Sequence, residues 1–157
     1  MIKFFYTFST LYKLIVVGII SGVILIIPLK IVYEVTGTTA YVLLFNFDYI
    51  PVINKLKPVW LFGCIFHFVT CICSVIGLYY ILKIRNLQYS VFSYILVYSI
   101  GGGALFFLTC LSNQPPAGDD TLAWFYWTSA HAIFGYAVGA IIKLWIHEKP
   151  RFPISTI

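Results

Sequence analysis

Charge is scarce in this sequence. Only 10% of its 157 residues are Asp, Glu, Lys or Arg, where a soluble domain carries about a quarter. Such a chain cannot clothe a water-facing surface, so most of its surface must face lipid. Acids are the scarcer sign: 5 Asp+Glu against 10 Lys+Arg leave a formal charge of +5. The basic residues stand at the ends of apolar runs, not in a stripe, and no recognition motif accompanies them. That argues against nucleic acid as a partner and makes membrane topology the reason for the excess. Cysteine pairs are missing too. Cys64, Cys71, Cys73 and Cys110 include no CxxC spacing and all lie inside apolar runs. Cys71 and Cys73, two apart on a helix, point to different faces. A disulfide framework, a structural zinc site and quinone-coupled disulfide formation, which needs cysteine pairs on the outer side, are therefore not expected. Walker A, GxSxG and HExxH motifs are likewise lacking. The expectation is a non-enzymatic protein with no metal and no cofactor.

What is abundant is apolar side chain, 61% of the residues, with a mean hydropathy of +0.96. A hydrocarbon core of ~30 Å takes about 20 apolar residues in a helix. The uncharged runs predict four such spans, roughly 12–33, 59–82, 90–112 and 122–145. Pro58 suits the first turn of the second, and Asn113-Gln114-Pro115-Pro116-Ala117-Gly118 is a loop signal that ends the third. The runs are too long and too continuously apolar for the alternating strands of a barrel. The first run lacks a small-residue cleavage site and is read as a retained span rather than a signal peptide.

These spans predict an all-α fold, one integral membrane domain over 1–157 forming a four-helix transmembrane bundle. Its orientation follows from Lys and Arg near the span ends. With the N-terminus inside, Lys3, Lys13, Lys83, Arg85, Lys143, Lys149 and Arg151 are cytoplasmic, against Lys30, Lys55 and Lys57 outside. Seven against three predicts N-in, C-in. The first outer loop holds an apolar stretch, Tyr41 to Pro51, too short to span and better suited to an interfacial or re-entrant segment. Trp60, Trp124 and Trp127 fall at the outer boundary and Trp145 at the inner one, as interfacial anchors do. The tail with Pro150 and Pro153 is expected to be extended and solvated, with His147 a solvated end residue.

Polar residues within spans are costly and mark function. His67 lies about eight residues into span two and His131 about nine into span four, which at 1.5 Å per residue puts them at nearly one level. Lys30, Glu34, Thr70, Thr109, Asn113, Thr128 and Ser129 fall in the same outer half. Lys30, Glu34, His67, Thr70, Thr109, Asn113 and His131 thus form a candidate outer-facing polar pocket. Lys30 and Glu34, four apart, share a helix face, either snorkelling to the interface or lining the pocket as an ion pair. The histidines admit three readings: interhelical hydrogen bonds, a proton-responsive site, or bis-histidine haem ligation in an electron carrier. Gly18 with Gly22, and Gly135 with Gly139, are small residues spaced for close helix approach, within the chain or in a homo-oligomer. Gly101, Gly102 and Gly103 mark a kink or a close contact, and Pro28 a kink. A further alternative is an accessory or structural subunit packing on a larger membrane partner.

The order of features resembles the YagU-like family of small bacterial inner-membrane proteins. Gly18-Ile19-Ile20-Ser21-Gly22 comes first, then Lys30 and Glu34 four apart. His67 follows early in a span that ends in a basic turn, then Gln114-Pro115-Pro116, and last Trp124 through Ile133-Phe134-Gly135. The likeness is distant and covers roughly residues 14–145. Ala132 and Tyr136 stand where the family pattern has an acid and a histidine, and the outer loop is shorter. The resemblance implies a multi-pass inner-membrane protein and brings no reaction or substrate with it.

Overall fold

The computed structural model describes residues 2–51, 53–56 and 59–146, with residues 2–8 as backbone only. Pro58, Lys57, His147 and the tail with its two prolines lie outside the described residues. Among the described residues every regular element is helical: α1 (Ile2–Thr36), α2 (Ala40–Leu43), α3 (Val59–Ile84), α4 (Val91–Leu105) and α5 (Thr121–Trp145). Short 3₁₀ turns cover Ile53–Lys55 and Phe106–Leu111.

Three stretches are long and apolar enough to cross a membrane: Ser9–Thr36, Val59–Ile84 and Val91–Leu111, the last being α4 continued by its 3₁₀ turn. Helix is the form such segments must take, because lipid satisfies no backbone N–H or C=O. α5 is as long, 25 residues, but its Thr121, Thr128, Ser129, His131 and small residues leave it leaner in aliphatic side chains. The helix limits agree with the expected spans to within a few residues except at the start of α1, which runs from Ile2 through Lys3 and Lys13 where a start near residue 12 is expected. α1 continues through Pro28 and closes at Gly37, whose φ of +73° only glycine adopts cheaply. α3 ends through Asn86 at φ +57°, with the Leu87 N–H returned to the Leu82 carbonyl at 2.9 Å. Asp120 caps α5 by accepting from the Ala123 N–H at 2.9 Å.

α1 packs along α3 on one side and α5 on the other, and α5 packs along α4. Glycine makes two of these seams. A Cβ on Gly18 would meet Ile72 Cα of α3 at 2.8 Å, and Gly22 lies against Phe68 and Cys71 of α3. A Cβ on Gly135 would meet the Tyr94 carbonyl oxygen of α4 at 2.7 Å, and one on Gly139 would meet Val91 Cα at 2.9 Å. Both glycine pairs are thus filled by this chain's own helices.

The triple glycine divides. Gly102 is where α4 takes the His131 ring, 2.5 Å from a Cβ position, and Gly103 faces Thr128 at 3.1 Å, whereas Gly101 borders open space and packs against nothing. Trp127 also departs from expectation. It is buried and donates its indole N–H to the Gly102 carbonyl at 2.7 Å, while Trp124 donates to Gly103 at 3.0 Å. The bare glycine backbone offers carbonyls that indoles of the next helix can reach, so these rings tie α5 to α4 instead of Trp127 serving as an interfacial anchor.

Candidate functional site

The apolar first loop turns inward. α2 leans on α1 and α5, and Leu43, Leu44, Asn46 and Phe47 are buried. The Phe45 carbonyl and Cβ crowd Gly63 of α3, and the Phe45 ring stands 5.7 Å from the His67 ring. Asn46 donates its amide N–H to the Ser112 hydroxyl at 2.7 Å, joining the loop to the end of the α4 segment. The loop packs back onto the helices, and Phe45 stands between His67 and the loop side.

Beneath this cover lies His67, 4% exposed. Its Nε2 faces the Gly22 carbonyl of α1 at 3.2 Å, and the Cys71 sulfur lies 3.8 Å from Nε2 and 4.0 Å from Nδ1. A Cβ on Gly22 would press on Phe68 and Cys71, the neighbours of this imidazole, at 3.2 and 3.3 Å. His131 of α5 places Nδ1 2.8 Å from the Trp127 carbonyl one turn back, with the Trp127 ring 4.4 Å from its own.

A carbonyl only accepts, so the nitrogen beside it must carry the hydrogen. His67 is thereby protonated on Nε2 and His131 on Nδ1, and each ring keeps its second nitrogen as a lone-pair base. Among the described residues no carboxylate faces either ring. What surrounds them is neutral: Cys71, Phe45, Phe68, Trp127, Phe134 and the main chain. Ser21, next to Gly22, and Thr128, one turn before His131, each keep a buried hydroxyl oxygen without a partner.

The rest of the expected pocket disperses. Lys30 and Glu34 form an ion pair at 2.5 Å with side chains 46% and 61% exposed. Lys30 lies over the rings of Tyr33 and Tyr41. This pair lies on the exposed surface of α1. Thr70, one turn along α3 from His67, is exposed, and Asn113 is exposed in the loop. Thr109 is buried, but it sits near Gly118 at the loop end. Helical phase explains the split: depth alone grouped these residues, whereas only those facing α1 and α5 enter the interior. In the first loop Tyr49 is partly buried, which pushes its phenol pKa up, and Asp48 beside it acts in the same direction.

Among the described residues no three His, Cys, Asp or Glu side chains gather to hold a metal ion. The four cysteines are free, Cys71 buried and Cys73 exposed on opposite faces. Sequence reasoning missed Asn46, Ser112 and Phe45, whose roles depend on how the loop folds. It also missed Tyr79, Tyr94 and Tyr98, for which a signal existed: His67, Cys71, Val75 and Tyr79 recur at steps of four, as do Tyr94, Tyr98 and Gly102. Compared with protein-family models, with curated proteins and with solved structures, the chain matches none.

Proposed function

We propose that this chain is a four-span, N-in/C-in protein of the bacterial inner membrane, YagU-like in its order of features. Its working part is a proton-responsive histidine pair, His67 with His131. One observation carries this reading: two imidazoles on different helices, His67 buried and His131 half-buried, each have one nitrogen committed to a main-chain carbonyl and the other left basic. Histidine is the side chain that changes charge in the physiological range, and a charge taken up here would enter an apolar interior with no carboxylate to meet it. Protonation therefore stresses the seams that the neutral rings hold, α3 to α1 at Gly22 and α5 to α4 at Gly102. The reading includes no catalytic step and no bound cofactor.

The fourth span is supported by where α5 keeps its polarity. Leu122, Phe125, Ile133, Tyr136 and Leu144 are exposed, an apolar face suited to lipid, and the exposed Thr121 and Lys143 of α5 lie at its ends. His131 and Thr128 meet α4, and the seam glycines Gly135 and Gly139 lie there too.

The test is the melting temperature of purified protein in detergent between about pH 5 and 8, the range in which histidine titrates. The protein as it stands should lose stability on acidification, and His67→Ala with His131→Ala should flatten that dependence. Parallel curves for the two proteins would sink the reading.

A further inference from the structure

One piece of chain covers His67 at the end of the bundle where α1 stops and α5 begins. Residues 38–51 leave α1 at Gly37, turn once through α2 and fold back onto α3. The seat is a glycine. A Cβ on Gly63 would strike the Phe45 carbonyl oxygen, and would meet the Phe45 Cβ at 2.9 Å. That bare turn of α3 lets Phe45 come down one turn from His67, ring to ring at 5.7 Å.

Three features make this piece separable from the helices beneath it. Among the described residues, it offers His67 a ring contact and no hydrogen bond. The imidazole is held by the Gly22 carbonyl of α1 and lies beside Cys71 of its own helix, so it stays in place when the loop lifts. The loop's side-chain hydrogen bond to the far side of the bundle is that of the Asn46 amide to the Ser112 hydroxyl, at 2.7 Å. Asn46 is set for it by accepting the Asp48 N–H at 3.0 Å, and Ser112 by accepting the Gln114 N–H at 2.9 Å. At the near end stands Gly37, at φ +73° and with nothing within 4 Å of a Cβ position, a residue with wide backbone freedom. The other ties are ring contacts, Tyr41 under Lys30 and Phe47 and Tyr49 beside Phe66, together with buried Leu43 and Leu44. Such contacts are non-directional, and short segments held this way open at a lower free energy than the whole fold.

We propose that residues 38–51 form a lid over His67, hinged at Gly37, seated on Gly63 and latched by Asn46 on Ser112, which decides when water reaches the imidazole. It rests on the reading of His67 as proton-responsive and adds the control of its access. Shut, the lid keeps the ring from exchanging protons with the solution; open, it bares the ring and Cys71 beside it. The second histidine bears on the latch. Ser112 ends the 3₁₀ stretch that follows the glycines of α4, and His131 is seated on Gly102 among them. One histidine thus lies under the lid and the other at the root of the segment that holds it.

Cys71, 5% exposed, reports the opening. The experiment is the rate at which a charged, water-soluble methanethiosulfonate modifies the full chain in detergent, with Cys71 left as its one cysteine by Cys64→Ala, Cys73→Ala and Cys110→Ala. A reagent that reaches a buried thiol only through a rapid opening follows the open fraction. Ser112→Ala, which removes the latch, should raise the rate about two- to tenfold, the range that one hydrogen bond supports. Gly63→Ala, which wedges the seat and removes no polar group, should raise it as well. Val138→Cys in place of Cys71, at a position 0% exposed toward the other end of α5, should stay equally slow with and without either change. A Cys71 rate that neither change moves overturns the lid. So does an equal rise at Val138, which would be a loosening of the whole bundle. Unmoved thiol rates beside a melting curve that His67→Ala with His131→Ala flattens would end the lid and leave the histidine reading. Raised rates beside parallel melting curves would leave the lid and end the histidine reading.

Discussion

At the scale of single residues, the difference between neighbouring glycines is the sharpest consequence of the packing. Gly101 and Gly102 are adjacent and alike in sequence, yet a methyl group on Gly102 would strike the His131 ring at 2.5 Å and one on Gly101 would meet nothing within 4 Å. Gly102→Ala should lower stability by about 1–3 kcal/mol, the usual range for overpacking. Gly101→Ala should be neutral or stabilising by up to about 1 kcal/mol through helix propensity. Melting curves in one detergent decide between them, and equal effects would mean that His131 does not sit on Gly102. Tyr49 offers a second test. Burial holds its phenol pKa above the ordinary value, so its contribution to stability is complete below about pH 10, where the unfolded phenol is also protonated. It is lost as pH rises toward the folded value. Above pH 10 the protein should therefore destabilise more steeply than Tyr49→Phe does, and coincident alkaline melting profiles would remove Tyr49 from that role.

Elements were more legible than faces. Apart from the start of α1, where each helix begins and ends was written in the charges, in Gly37, in the Asn113–Gly118 loop and in Asp120, all of which act locally. Which residues of a helix meet was not, because α1, α3 and α4 are apolar nearly all round and polarity gives them little phase. Thr70 and His67 are three apart on α3 at similar depth, yet one is exposed and the other buried. The inward fold of the first loop was legible as an apolar stretch, but its anchor, the Asn46–Ser112 bond across 66 residues, left no local trace. That bond predicts the loop's behaviour. Asn46→Ala or Ser112→Ala removes one hydrogen bond, worth about 0.5–1.5 kcal/mol. Amide exchange in residues 38–50 should rise while that of α3 is unchanged. If protection in the loop survives both substitutions, burial of Leu43, Leu44 and Phe47 holds it without the bond.

For the molecule as a whole, the question is whether α5 crosses the bilayer with the other three. Its 25 residues make about 37 Å of helix, more than the ~30 Å hydrocarbon core requires. Its average apolarity is lowered by residues that do not face lipid: Thr128 and His131 meet α4, and Ala130, Ala137 and Gly139 are buried. Lipid responds to the outward face, and there Leu122, Phe125, Ile133 and Leu144 are what it would meet. A helix sheltered on one side by its neighbours can be less apolar than a solitary span at no cost, because close packing of small residues holds it in place. Composition alone misjudges such a helix, since it averages over faces that see different surroundings. The consequence is parity. Four crossings put the two ends of this chain on one side, and three put them on opposite sides. Peptide tags at the two termini should become accessible to protease together, only after the membrane is opened from the cytoplasmic side. Ala117→Cys in the α4–α5 loop should react with an impermeant maleimide added outside, and Asn86→Cys in the α3–α4 turn should not. Tags that respond from opposite sides would leave α5 lying on the surface, and the histidine pair would then have one partner in the membrane and one at its edge.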